Sequence, residues 1–279
     1  MHIPRAWARS STECTSRGGG KRTVSAWGWG DREAEARQNA STRLSRLVER
    51  LGRGEPLERG YEYGSRPLRE EILESLDGTG GNSPLAILTR NRYGAQVLNT
   101  SGTLFLDIDL APDTLAQRLR RLVSSSASAE LKALARLREA LVRYGRASFR
   151  VYRTAAGFRA VAVDRAFNPS GREAQELMAA TGTDPAFARL CVAQQSFRAR
   201  LTPKPWRCKC SMPPGDHPRS DEMRRRFADW LSNYERASSR FATCRFVETV
   251  GTGRPEGDAQ RVIALHDRLT RCEEQLPLA

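Results

Sequence analysis

The run Leu104-Phe105-Leu106-Asp107-Ile108-Asp109-Leu110 constrains this chain more than any other segment. It sits between a turn at Ser101-Gly102 and a helix start at Pro112-Asp113, and its apolar residues are interrupted only by two aspartates. Such a short apolar run bounded by turn signals reads as a strand. Side chains alternate along a strand, so Asp107 and Asp109 share one face with Phe105. Leu104, Leu106, Ile108 and Leu110 take the other face, a pattern expected of a strand inside a sheet rather than at its edge. Two carboxylates crowded on such a strand repel each other and lose solvation, and a divalent cation relieves both problems. Mg²⁺ or Mn²⁺ held by Asp107 and Asp109 is therefore the expected cofactor, in the arrangement used for metal-dependent phosphoryl or nucleotidyl transfer. The alternative is an edge strand with two solvated acids.

A second patterned region lies further along. Phe149 to Thr154 and Phe158 to Val163 are two strand-like runs joined by Ala155-Ala156-Gly157, and they predict a hairpin. It presents Arg150, Arg153 and Arg159, which either pair with the two aspartates or bind substrate phosphate. Ala95 to Asn99 predicts another strand, and Thr243 to Val250 one more. Helices are expected over 31–51, 67–76, 112–123, 130–144, 173–180, 184–195, 223–234 and 260–272. Asp184 is the expected N-cap of its helix, with Pro185 at the first helical position. Residues 1–25 read as a disordered basic arm, although Trp27 and Trp29 are expected to dock onto the protein. The remainder, 26–279, reads as one α+β domain. It has a helical part over 26–94, a sheet core over 95–168 and a mostly helical part over 169–279.

The segment from Phe197 to Arg207 interleaves basic and aromatic side chains. Arg198, Arg200, Lys204, Trp206 and Arg207 offer phosphate contacts and ring stacking, as a site for single-stranded nucleic acid requires. Pro203 and Pro205 hold it extended. The competing reading is a basic loop whose aromatics plug the core. Cys208 and Cys210 are not spaced as a zinc knuckle, so zinc is not expected, and all six cysteines read as reduced thiols. His266-Asp267 reads as a polar pair on a helix surface.

Charge points to the partner. The net charge is +14 and the isoelectric point about 10.3, values at which nucleic acid or another polyanion is the expected ligand. The first 30 residues carry five basic side chains and one acidic, which leaves most of the excess to the folded part. No stretch is long and apolar enough for a membrane helix, and Met1 to Gly30 contains no signal-peptide core. No membrane association is expected, and the cytoplasm is the expected location. There is no Walker loop and no Gly-x-Ser-x-Gly elbow.

The block LFLDID followed by the hairpin YRTAAGFR resembles, in order and spacing, the palm of archaeo-eukaryotic primases and primase-polymerases. That resemblance implies a primase-palm-like sheet covered by helices, with Asp107 and Asp109 as catalytic metal-binding acids. It also implies a nucleotide-binding hairpin over Thr154 to Arg159, with Asp164 as a third acid. Position 159 is arginine where that family has histidine. The blocks YGSRPLREEIL, VLNTSGTLFLDIDL, FRVYRTAAGFR, LCVAQQSFRARLTPKPWRC and ATCRF are also similar to an uncharacterised group of bacterial and eukaryotic proteins, which implies no activity. The leading expectation is a divalent-metal-dependent nucleic-acid enzyme, with Arg153, Thr154 and Arg159 on nucleotide phosphate. The second is a non-catalytic nucleic-acid-binding protein on the same fold, and the third a small-molecule phosphate enzyme.

Overall fold

A computed structural model describes residues 1, 3–15, 20–55, 67–80, 84–110 and 129–279. Their elements run β1 (Ala6–Thr15), β2 (Lys21–Gly30), α1 (Glu33–Gly52), β3 (Glu71–Asp77), β4 (Pro84–Arg90), β5 (Gln96–Thr100) and β6 (Phe105–Asp109). They continue with α2 (Ala129–Tyr144), β7 (Phe149–Thr154), β8 (Gly157–Ala162), α3 (Arg172–Ala180), α4 (Pro185–Gln194) and β9 (Phe197–Arg200). A 3-10 turn (Pro205–Cys208), α5 (Asp221–Ser238), β10 (Cys244–Val250) and α6 (Gly257–Thr270) complete the described chain. The class is α+β. In place of one central sheet there are two four-stranded sheets, ordered β10-β7-β8-β6 and β3-β4-β5-β9, plus the hairpin β1-β2. Every strand pairing in them is antiparallel.

Several expectations are met. The hairpin β7-β8, strands β5, β6 and β10, and helices α1 to α6 fall where the sequence patterns put them. Asp184 caps α4 by accepting from the Ala186 amide at 2.9 Å, with Pro185 beginning the helix. Gly157 is required in the β7-β8 turn. A Cβ there would lie 1.9 Å from the Ile108 carbonyl oxygen, because β6 passes directly over it.

The N-terminal region differs. Residues 6–15 are not an arm: they pair along their length with β2, Ala6 opposite Gly30 through Thr15 opposite Lys21. Trp7 sits opposite Trp29 with ring centroids 5.7 Å apart, and Gly28 lets Ala36 and Ala40 of α1 approach the hairpin backbone. The charge that suggested a tail is carried on both strands of this hairpin, by Arg9 on β1 and by Lys21 and Arg22 on β2. The helix expected over 67–76 is instead β3, which pairs with β4 from Glu71 opposite Arg90 to Asp77 opposite Pro84. Its Glu and Leu residues favour helix locally, and cross-strand pairing overrides that preference. The expected helix over 112–123 lies outside the described residues.

The sheet β10-β7-β8-β6 is covered on both sides. On one face lie Leu106, Ala160 and Val151, in one buried cluster with Leu137 and Leu141 of α2. On the other, α6 brings His266 against Phe105 and Tyr152. Strand β6 is the last in its sheet, contrary to the interior position its apolar pattern implied. Its burial comes from neighbours outside the ladder: β9 of the second sheet lies beside it, and the Asp184 amide bonds the Asp107 carbonyl at 3.3 Å. An edge covered by other elements needs the same apolar composition as an interior strand. Among the described residues, no helix is long and apolar enough to cross a membrane.

Candidate phosphate-binding site

The ladder fixes which side chains meet. Asp107 lies opposite Arg159, and Arg159 opposite Tyr152, so all three share the α6 face. Arg159 grips Asp107 with both arms of its guanidinium, Nε to Oδ1 at 2.8 Å and Nη2 to Oδ2 at 3.1 Å. It also donates to the Arg200 carbonyl at 3.0 Å and reaches His266 Nε2 at 3.3 Å. Only 3% of the Arg159 side chain is exposed, against 32% for Asp107. The arginine is therefore the buried member and the carboxylate keeps partial contact with solvent.

His266 is buried rather than on a helix surface. Arg159 can only donate, so Nε2 accepts, and the Nδ1 proton goes to Asp267 Oδ1 at 2.8 Å. Asp267 also accepts from the Tyr152 hydroxyl at 2.7 Å and from Arg150 at 2.9 Å. Burial, reinforced by Arg159, pushes the His266 pKa below the usual histidine value. Burial also raises the Tyr152 phenol, aided by Asp267. A chain thus runs from Asp267 through neutral His266 to Arg159 and Asp107. Sequence reasoning missed it because the pair at 266–267 has no other histidine at helical spacing; only the fold supplies Arg159 as its partner.

A histidine whose folded pKa lies below its unfolded value binds more protons when unfolded. Its destabilising effect therefore grows as pH falls through the unfolded value of about 6.5. The melting temperature of the wild type is expected to drop more steeply from pH 7.5 to pH 5 than that of His266→Gln, as read by thermal denaturation across that range. Parallel curves would remove the buried neutral histidine.

Strand β9 and the 3-10 turn after it bring the other cations. Arg200 Nε is enclosed with no hydrogen-bond partner among the described residues, and so is one terminal nitrogen of Arg207. Burial and the nearby Arg159 pull the Arg200 guanidinium down to about 10. Lys204 is lowered by burial and by Arg200 and Arg207, and opposed by Asp109. Arg159 and Arg200 thus lie near Asp107 and Lys204 near Asp109, with Arg207 beside Arg200 and Lys204. Asp109 is exposed and has no hydrogen bond or ion pair to another described side chain. Like charges enclosed together raise one another's energy, and an anion placed among them reverses that cost.

Other residues from the sequence reading lie elsewhere. Arg153 points to the opposite face, where it bonds Glu130 at 2.6 Å and the Gly157 carbonyl at 2.8 Å. Thr154 Oγ1 accepts from the Gly157 amide at 3.0 Å and so holds the hairpin turn. Arg198 is locked within the second sheet, with Glu70 at 2.7 and 2.9 Å and Asn99 at 2.6 Å. Asp164 holds the Ser148 amide at 3.0 Å and sits past the far end of β8 from Asp109. Trp206 is 51% exposed and packs against Tyr93.

Burial pushes the thiols of Cys191, Cys208 and Cys244 up, to about 12, 11 and 11, which keeps them protonated at neutral pH. Among the described residues, Asp267, Cys272 and Glu273 form a group whose ligand atoms lie within 4.8 Å of one another. The Asp267 oxygens there already serve His266, Tyr152 and Arg150. In comparisons with protein-family models, curated proteins and solved structures, nothing matches this chain.

Proposed function

We propose that the chain binds nucleic acid through its phosphates at the cluster of Arg200, Lys204 and Arg207 beside Asp107 and Asp109. The observation that carries this reading is Arg200, a cation near Arg159, Arg207 and Asp107 whose enclosed Nε has no acceptor among the described residues. A phosphate oxygen supplies the missing acceptor and offsets the mutual repulsion, and a guanidinium matches phosphate geometry. The net charge of +14 favours a polyanion over a small phosphate ester.

A second reading, divalent-metal-dependent nucleotidyl or phosphoryl transfer on a primase-palm-like site, is favoured by Asp109. That carboxylate is exposed and shares a face with Asp107. Both oxygens of Asp107 are engaged by Arg159, which leaves one uncommitted carboxylate. Such a donor set fits a Mg²⁺ or Mn²⁺ ion that also takes phosphate oxygens, not a dedicated two-metal cage. Asp109 would be its main protein ligand, and the ion would neutralise charge on the phosphate.

One titration tests both. A fluorescent single-stranded oligonucleotide is added to the protein at rising NaCl, in EDTA and in Mg²⁺, for wild type and Asp109→Asn. Affinity in EDTA that falls steeply with salt is expected; salt-independent or absent binding would defeat the nucleic-acid reading. Tighter binding in Mg²⁺ that disappears in Asp109→Asn supports the metal reading. An equal response to Mg²⁺ in both proteins removes Asp109 as a ligand.

A further inference from the structure

One aromatic pair lies at the margin of the cationic cluster. Tyr93 belongs to the tight turn between β4 and β5, where Asn91 Oδ1 accepts from the Tyr93 and Ala95 amides at 3.0 and 3.1 Å. Gly94 in that turn has φ +79° and abuts the Trp230 ring, so the turn is fixed from below. Trp206 comes from the 3-10 turn that begins at Pro205. The two rings meet edge-on, with centroids 5.4 Å apart and planes at 87°. Both are held by backbone structure rather than by a flexible loop, so little ordering is needed to use them.

Their surroundings point to a ligand. Among the exposed large hydrophobic side chains described, Trp206 is the one aromatic. Lys204 lies over the Trp206 ring, 5.3 Å from its centroid, and Arg92 over the Tyr93 ring, 5.4 Å from its centroid, so each ring of the pair has a cation beside it. Lys204 also interacts electrostatically with Arg200, Arg207 and Asp109, which joins the aromatic ledge to the phosphate cluster.

Building on the phosphate-binding reading, we propose that Tyr93 and Trp206 form a base-stacking subsite for single-stranded nucleic acid. One unpaired base lies against the exposed indole. The phosphate on one side of that nucleotide meets Lys204 and Arg207, and the phosphate on the other side meets Arg92. A mononucleotide carries phosphate on one side only and leaves Arg92 unused. A duplex keeps its bases stacked on one another and offers no free π-face to the indole. Stacking of this kind tolerates any base.

The test compares three probes of equal length: a thymidine oligonucleotide, the same backbone with abasic sites, and a duplex. Binding is read by fluorescence anisotropy on wild type, Trp206→Ala, Trp206→Phe, Tyr93→Ala and Arg200→Met. Trp206→Ala is expected to weaken thymidine-oligonucleotide binding roughly tenfold and leave abasic binding unchanged, with Trp206→Phe restoring most of the loss. Equal effects of Trp206→Ala on thymidine and abasic strands, or a duplex that binds as tightly as the single strand, would overturn the subsite. In that event Arg200-dependent abasic binding still upholds the phosphate site. Abasic binding that ignores Arg200→Met overturns the phosphate reading, and this proposal with it.

Discussion

Arg159→Met is expected to lower the melting temperature by on the order of 10 °C, corresponding to about 3 kcal/mol for a chain of this size. The substitution removes the bidentate partner of Asp107 and the donors to the Arg200 carbonyl and His266 Nε2. Each acceptor left buried without a partner adds to the cost. The loss should sit at the lower end of the range for broken buried ion pairs, because Asp107 keeps 32% of its side chain in contact with solvent. Asp107→Asn combined with Arg159→Met should recover part of the loss, since the uncompensated charge is then gone. Thermal and urea denaturation of the two single variants and the double variant measure this directly. A loss below about 1 kcal/mol for Arg159→Met would show that the pair does not organise the site. Arg159→Lys keeps the charge without the fork and should fall between wild type and Met.

Arg200→Met should behave in the opposite way. It removes a cation that is enclosed near Arg159 and Arg207 and has an unpartnered Nε. Stability should stay within about 1 kcal/mol of wild type, or rise, because no ion pair to a described residue is broken and a repulsion is relieved. Oligonucleotide affinity, by contrast, should fall on the order of a hundredfold, the scale for removing one partner of an enclosed charged contact. The slope of log affinity against log salt should become shallower by about one phosphate contact. Anisotropy titrations at several salt concentrations, beside a melting curve, give both quantities on one preparation. A protein that loses stability but not affinity would make Arg200 a structural residue. The contrast with Arg159 matters: neighbouring arginines with opposite expected effects separate the group that builds the site from the group that meets the ligand.

The alternating pattern of Leu104 to Leu110 determined that Asp107 and Asp109 share a face, because side-chain alternation along a strand is a local property. The hairpin 149–162 and the α4 cap at Asp184 were legible for the same reason: a glycine-containing turn and a capping carboxylate act within a few residues. Charge alone raised the expectation of a polyanion. What lay beyond the sequence were the pairings between distant residues. The strand register sets Arg159 opposite Asp107, and α6 folds back to place His266 behind that arginine. The same register turns Arg153 to the opposite face, and Glu70 absorbs Arg198 while Arg200, two residues on, has no ion pair among the described residues. Sequence could list these arginines as equivalent candidates. The tertiary structure sorts them, because the demand of a buried guanidinium for an acceptor is met or left unmet by residues far away in the chain.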